Sequence, residues 1–149
     1  MSRDDVELVR RCFDAWSRWD FEAMKSIYAP DVEIVSPAAE MFGRTYRGLD
    51  GLRDYMQEFV DVFDPVRFAL ERVVDGGERG IVGVIRIEAR GNRSGVELSY
   101  RNASVFTVRD SLIHREVVYE DPARALEAIG LAEQDAPPAD PRGAAPKRD

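Results

Sequence analysis

Residues 96–120, VELSYRNASVFTVRDSLIHREVVYE, are the stretch whose reading decides the fold. Residues 96–109 and 112–120 are rich in β-branched and aromatic side chains, and Asp110-Ser111 between them is a tight-turn dipeptide, so the stretch is a long hairpin. Upstream, residues 66–74 and 81–89 read as two further strands joined by the turn Asp75-Gly76-Gly77-Glu78, and residues 91–95 (GNRSG) lead into the hairpin. Four strands linked by short turns make an antiparallel meander.

The half of the chain before the meander is helical in texture. Val6, Val9, Cys12, Phe13 and Trp16 recur on one face of a helix over residues 4–18, which Ser2 can cap. Asp20 caps a short helix over 21–28, which Pro30 stops, and residues 31–36 (DVEIVS) alternate as a strand. Residues 37–48 form a loop carrying Met41, Phe42 and Tyr46. Leu52, Tyr55, Met56, Phe59 and Phe63 make the buried stripe of a third helix over 49–63, ended by Pro65. After the meander, Asp121-Pro122 opens a final helix that ends near Ile129, with Gly130 just beyond. The expected class is α+β: a curved antiparallel sheet around three helices, with a fourth at the C-terminus. A sheet that curls over helices leaves a cone, and its open end is a natural ligand site.

Composition bounds the rest. The 149 residues suit one domain over 1–132, followed by an Ala/Pro-rich tail over 133–149 that is expected to be disordered. The net charge of −7, with no Lys/Arg run, argues against nucleic acid. No apolar stretch approaches the roughly 20 residues of a membrane span. Cys12 is the only cysteine and the N-terminus has no apolar leader, which suits a cytoplasmic protein. One His and one Cys exclude a structural zinc site of the usual kind. The glycine-rich residues 76–80 lack a phosphate loop's Lys-Ser/Thr ending, residues 91–95 are not a nucleophile elbow, and no cofactor fingerprint is found.

Four stretches in order, residues 20–34 (DFEAMKSIYAPDVEI), 46–52 (YRGLDGL), 105–113 (VFTVRDSLI), and 119–121 (YED) with 125–131 (ALEAIGL), resemble the nuclear transport factor 2-like (NTF2-like) superfamily in its SnoaL-like and ketosteroid-isomerase-like branch. The resemblance covers nearly the whole chain except the tail. It implies an NTF2-like (cystatin-like) cone and no particular activity, because the fold hosts both enzymes and non-enzymes. It also implies that Cys12 stands where steroid isomerases carry a tyrosine. Ser36 and Ser104 stand where they carry acids, and Val118 stands where the cyclases carry an aspartate. Each catalytic set that can be mapped is thus replaced.

Alternation combined with the resemblance turns Ile34 and Ser36 into the cone, with Asn102, Ser104 and Phe106 facing His114, Glu116 and Val118 across the last hairpin. Trp16, Trp19, Tyr28, Met41, Tyr46, Tyr55 and Phe59 are expected around the mouth. His114 and Glu116, two residues apart, would project from one face, the carboxylate orienting the imidazole as a general base. The alternative is a half-exposed polar pair on an acidic strand. Serine and tyrosine hydroxyls could orient a ligand or merely line a wet core. Cys12 reads as an inert core thiol.

Ala103, Val105, Ile113, Val117 and Tyr119 are expected on a convex face that no helix covers, which predicts a homodimer through that face. Three functions stay open: a cofactor-independent acid–base enzyme on a small apolar oxygenated substrate, with His114 as base; a non-catalytic ligand-binding module; and a dimerisation domain with a filled interior.

Overall fold

The computed structural model describes residues 3–36 and 44–131. Its elements are α1 (Arg3–Ser17), α2 (Phe21–Met24), β1 (Tyr28–Val35), β2 (Thr45–Arg47), α3 (Gly48–Val62), β3 (Phe63–Asp75), β4 (Ile81–Gly91), β5 (Glu97–Arg109), β6 (Leu112–Tyr119) and α4 (Pro122–Ala128). Six strands form one sheet in the order β2-β1-β6-β5-β4-β3. Every pairing is antiparallel except β1 with β6, which is parallel. Ser2, Met41 and the tail after 131 lie outside the described residues, and so do the expectations placed on them.

Local chemistry accounts for most boundaries. The Asp20 carboxylate accepts a hydrogen bond from the Ala23 amide at 3.0 Å, and the Asp121 carboxylate accepts one from the Ala123 amide at 3.0 Å with Pro122 behind it. Asp110 and Ser111 both adopt positive φ, 54° and 64°, as a two-residue hairpin turn of the twist-matched kind requires. Three expectations shift. The second helix stops at Met24, because Tyr28 already pairs with Ile113 in the sheet. Residues 45–47, read as loop, form an edge strand. The third helix runs straight into β3 at Phe63.

The concave side of the sheet packs on α1 and α3. Phe13 stands edge-on to Phe106 at 5.5 Å, and Gly83 makes room for it: a Cβ there would lie 2.5 Å from the Phe13 ring. Phe106 is fully buried, which contributes roughly 1.5–3 kcal/mol. The convex side has a smaller core. Here the expectation of an uncovered face is corrected: α4 lies across β5 and β6, and Ala103 is fully buried in a cluster with Ala125, Leu126 and Ile129. Val105, Val117 and Tyr119 stay half-buried. The nearby charges are paired on the same face, Glu71 with Arg86 and Arg101, and Glu33 with Arg47 and Arg115.

A second correction concerns β6. Val108 pairs with Ile113 and Thr107 with Arg115, so His114 is the extra residue of a β-bulge. The bulge shifts alternation by one place. Ile113, expected outside, is fully buried in the concave core. Glu116 keeps its inward position opposite Phe106.

Candidate functional site

Two clefts open between the concave face and the helices. The deeper is lined by Trp16 of α1, Tyr55 and Phe59 of α3, Phe68 of β3, and Asn102, Ser104, Glu116 and Val118 of the last hairpin, among others. The outer cleft holds about 310 Å³ and is lined by Ser36, Glu58, Val62, Phe63, Tyr100 and Glu120, together with Tyr55, Phe59 and Asn102. The clefts adjoin at Tyr55, Phe59 and Asn102, which line both, and together they are termed the channel. At rest the inner end is nearly closed: about 20 Å³ is open to a water's centre, room for a single water.

Glu116 lies at the closed end and is 4% exposed. One carboxylate oxygen accepts a hydrogen bond from the Tyr28 hydroxyl at 2.7 Å, and the other accepts one from Ser104 Oγ at 2.8 Å. Behind it, the Tyr28 oxygen accepts from Trp16 Nε1 at 2.9 Å and from Cys12 Sγ at 3.1 Å. An indole N–H can only donate, so the phenol proton is directed at Glu116 and the network runs one way. No ion pair neutralises Glu116 among the described residues. Burial pushes its pKa up, and the hydrogen bonds from Tyr28 and Ser104 pull it partly back. Burial likewise raises Tyr28 and Cys12, with Glu116 adding to both, so phenol and thiol stay neutral donors. Tyr55 is raised by burial and then by Glu116.

The expected residues scatter across this arrangement. Trp16, Tyr55, Phe59, Asn102, Ser104, Glu116 and Val118 meet at the deep cleft, and Ser36 lines the outer one. Tyr28 is fully buried behind Glu116 and acts through it. Tyr46 packs on Tyr55 at 5.0 Å, outside both clefts, with its pKa raised to about 12 by burial and then by Glu58. Phe106 is core, not lining. Trp19 meets Trp16 edge-on at 5.7 Å and lines neither cleft.

The expected His114–Glu116 pair does not form. The bulge turns His114 away, its Nδ1 lies 3.9 Å from Asp31, and its buried Nε2 has no hydrogen-bond partner among the described residues. Sequence reasoning missed Phe68, an inward position of β3 visible in its alternation, and Tyr100 and Glu120 at the outer rim. Those two line the outer cleft opposite Glu58 and Val62 at the end of α3.

Comparison with known proteins follows the geometry. The family described as SnoaL-like domain matches residues 9–116. An uncharacterised protein of Mycobacterium tuberculosis is 31% identical over 121 residues, covering 80% of this chain and 91% of its own. A putative SnoaL-like polyketide cyclase from Jannaschia sp. CCS1 superposes with a TM-score of 0.70 at 18% identity, over 93% of this chain and 98% of its own. TerC, co-crystallised with polyporic acid, superposes with a TM-score of 0.69 at 21% identity, over 85% and 98%. At these identities the solved structures share the fold. Among the described residues no helix is long and apolar enough to cross a membrane.

Proposed function

This chain belongs to the SnoaL-like family and carries its NTF2-like fold, and from that premise we propose that it is a cofactor-independent acid–base enzyme acting on a small, apolar, oxygenated molecule. Glu116 is the proton-transfer group, in the role first assigned to His114. The observation that carries this reading is a buried carboxylate at the end of an apolar cleft, held by two hydroxyl donors with no counter-cation among the described residues. Desolvation makes such a carboxylate a stronger base than one in water, and the raised pKa brings it towards working pH. Ser36 and Asn102 offer polar contacts to a substrate oxygen, and Tyr55 a phenol. A cytoplasmic location and a homodimer through Val105, Val117 and Tyr119 belong to the same proposal.

The test is a substrate that asks only for a base. With 5-nitrobenzisoxazole, Glu116 would take the ring C–H proton while the N–O bond breaks, giving a nitrile and a phenolate. The expected result is turnover that rises with pH as Glu116 ionises and falls at least about 100-fold in Glu116→Gln. Equal turnover in wild type and Glu116→Gln ends the proposal. A second reading, ligand binding without chemistry, is favoured by the open outer cleft, which Glu116 does not line, beside a deep cleft that is nearly closed. The same experiment distinguishes it: the probe would bind, and turnover would stay at the buffer rate.

A further inference from the structure

The channel's charge is all of one sign. Among the described residues, its charged lining consists of Glu116 in the deep cleft and Glu58 and Glu120 in the outer one, with no Lys, Arg or His in either. Glu58 is paired with Arg44 at the rim. Glu116 and Glu120 have no ion-pair partner among the described residues. An anionic ligand would therefore meet repulsion at the mouth and again at the bottom, inside an acidic protein.

The walls between these acids are aromatic. Trp16 makes edge-to-face contacts with Tyr55 at 5.7 Å, Phe59 at 6.0 Å and Phe68 at 5.7 Å, and Tyr55 and Phe68 each meet Phe59 at 5.4 and 5.5 Å. In such contacts the positive edge of one ring satisfies the negative face of another. A methylated ammonium presents the same polarised C–H groups with a full charge behind them, and it can replace those edges. Two neutral polar groups line the channel. Among the described residues Ser36 Oγ, in a residue 7% exposed, is buried with no hydrogen-bond partner, and Asn102, 8% exposed, lines both clefts. Being neutral, they suit a hydroxyl or carbonyl on the same ligand.

We infer that the channel selects a small apolar cation, a protonated tertiary or quaternary amine bearing an oxygen function, with the aromatic rings and Glu116 around the nitrogen and Ser36 or Asn102 on the oxygen. The inference rests on the channel being the ligand site, as proposed above. The outer cleft's volume accommodates the body of such a molecule, and the nitrogen reaches Glu116 as the rings part.

The test uses three molecules of one shape: choline, its uncharged carbon analogue 3,3-dimethylbutan-1-ol, and the anion 3,3-dimethylbutanoate. Binding to the full chain is followed by NMR shifts of Trp16 Nε1–H and the Asn102 side-chain amide. Choline is expected to bind at least about tenfold tighter than the alcohol, and the anion weakest of the three. In Glu116→Gln the choline-to-alcohol ratio should fall to about two. The wild-type ratio stands as a test whether or not the variant folds. If the alcohol binds in the channel as tightly as choline, the cation inference is overturned and the ligand site survives. If none of the three shifts the channel resonances, both are overturned.

Discussion

Replacing Tyr28 by Phe removes one oxygen and disturbs three partners. Trp16 Nε1 and Cys12 lose their acceptor, and Glu116 keeps only Ser104. Phe fits the space, so no cavity cost enters. A hydrogen bond to an ionised group contributes about 1.5–3 kcal/mol, and an orphaned buried donor costs about 1–3 kcal/mol. With the thiol ignored as a weak donor, the loss is about 3–5 kcal/mol when Glu116 is charged. For a chain of this size that lowers Tm by roughly 10 °C. The cost must also depend on pH. Tyr28 favours the ionised carboxylate and so lowers the folded pKa of Glu116 from where burial alone would set it. Without Tyr28 that pKa rises further above the unfolded value. A raised folded pKa stabilises most at low pH, and that stability is lost as pH rises through it. The variant therefore falls behind wild type as pH climbs, by about 1–2 kcal/mol more at about pH 8 than at about pH 5. Urea unfolding at both pH values measures this directly. A cost below about 1 kcal/mol at the higher pH, or one that does not change between them, would refute the network as described.

Other outcomes follow from the same structure. Glu116→Gln keeps an acceptor for Tyr28 and removes a buried charge, so it should gain stability over wild type as pH rises above the ordinary carboxylate range and match it below; melts across that range check the sign. Gly83→Ala drives a methyl into the Phe13 ring and should cost about 1–3 kcal/mol, read by denaturant midpoint; a neutral result would mean α1 is free to move. His114→Ala should leave nitrobenzisoxazole turnover within about twofold of wild type, since its ring points away from Glu116, and a large loss would restore it as the base. Light scattering at micromolar concentration should give a dimer, and a monomer would remove the convex face as an interface.

How much of this was legible in the chain depends on where the controlling contacts lie. The helix stripe through Val9, Phe13 and Trp16, the caps at Asp20 and Asp121 and the hairpin turn at Asp110-Ser111 are local, and they read correctly. So did the inward set Asn102, Ser104, Glu116 and Val118. The strand start at Tyr28 depends on a partner far along the chain, Ile113, which a local pattern cannot register, and the edge at 45–47 is three residues long, too short for alternation to mark it. The bulge at His114 is of that kind. Nothing in LIHREVVY marks it, since it arises only from how β6 pairs with β5 on one side and β1 on the other. That one unmarked residue moved the expected base out of the site and left its supposed helper, Glu116, at the centre.

The strand order has a consequence for how the molecule is made. β6 sits between β1 and β5, so the first strand has no neighbour other than short β2 until the last one arrives. A growing chain can assemble the β3–β5 meander early, yet Tyr28 and Glu116 meet only after residues 112–119 have left the ribosome. Chains interrupted between β1 and β6 would keep an open sheet edge and a Tyr28 phenol with no carboxylate to receive its proton, which makes such fragments natural substrates for chaperones and proteases.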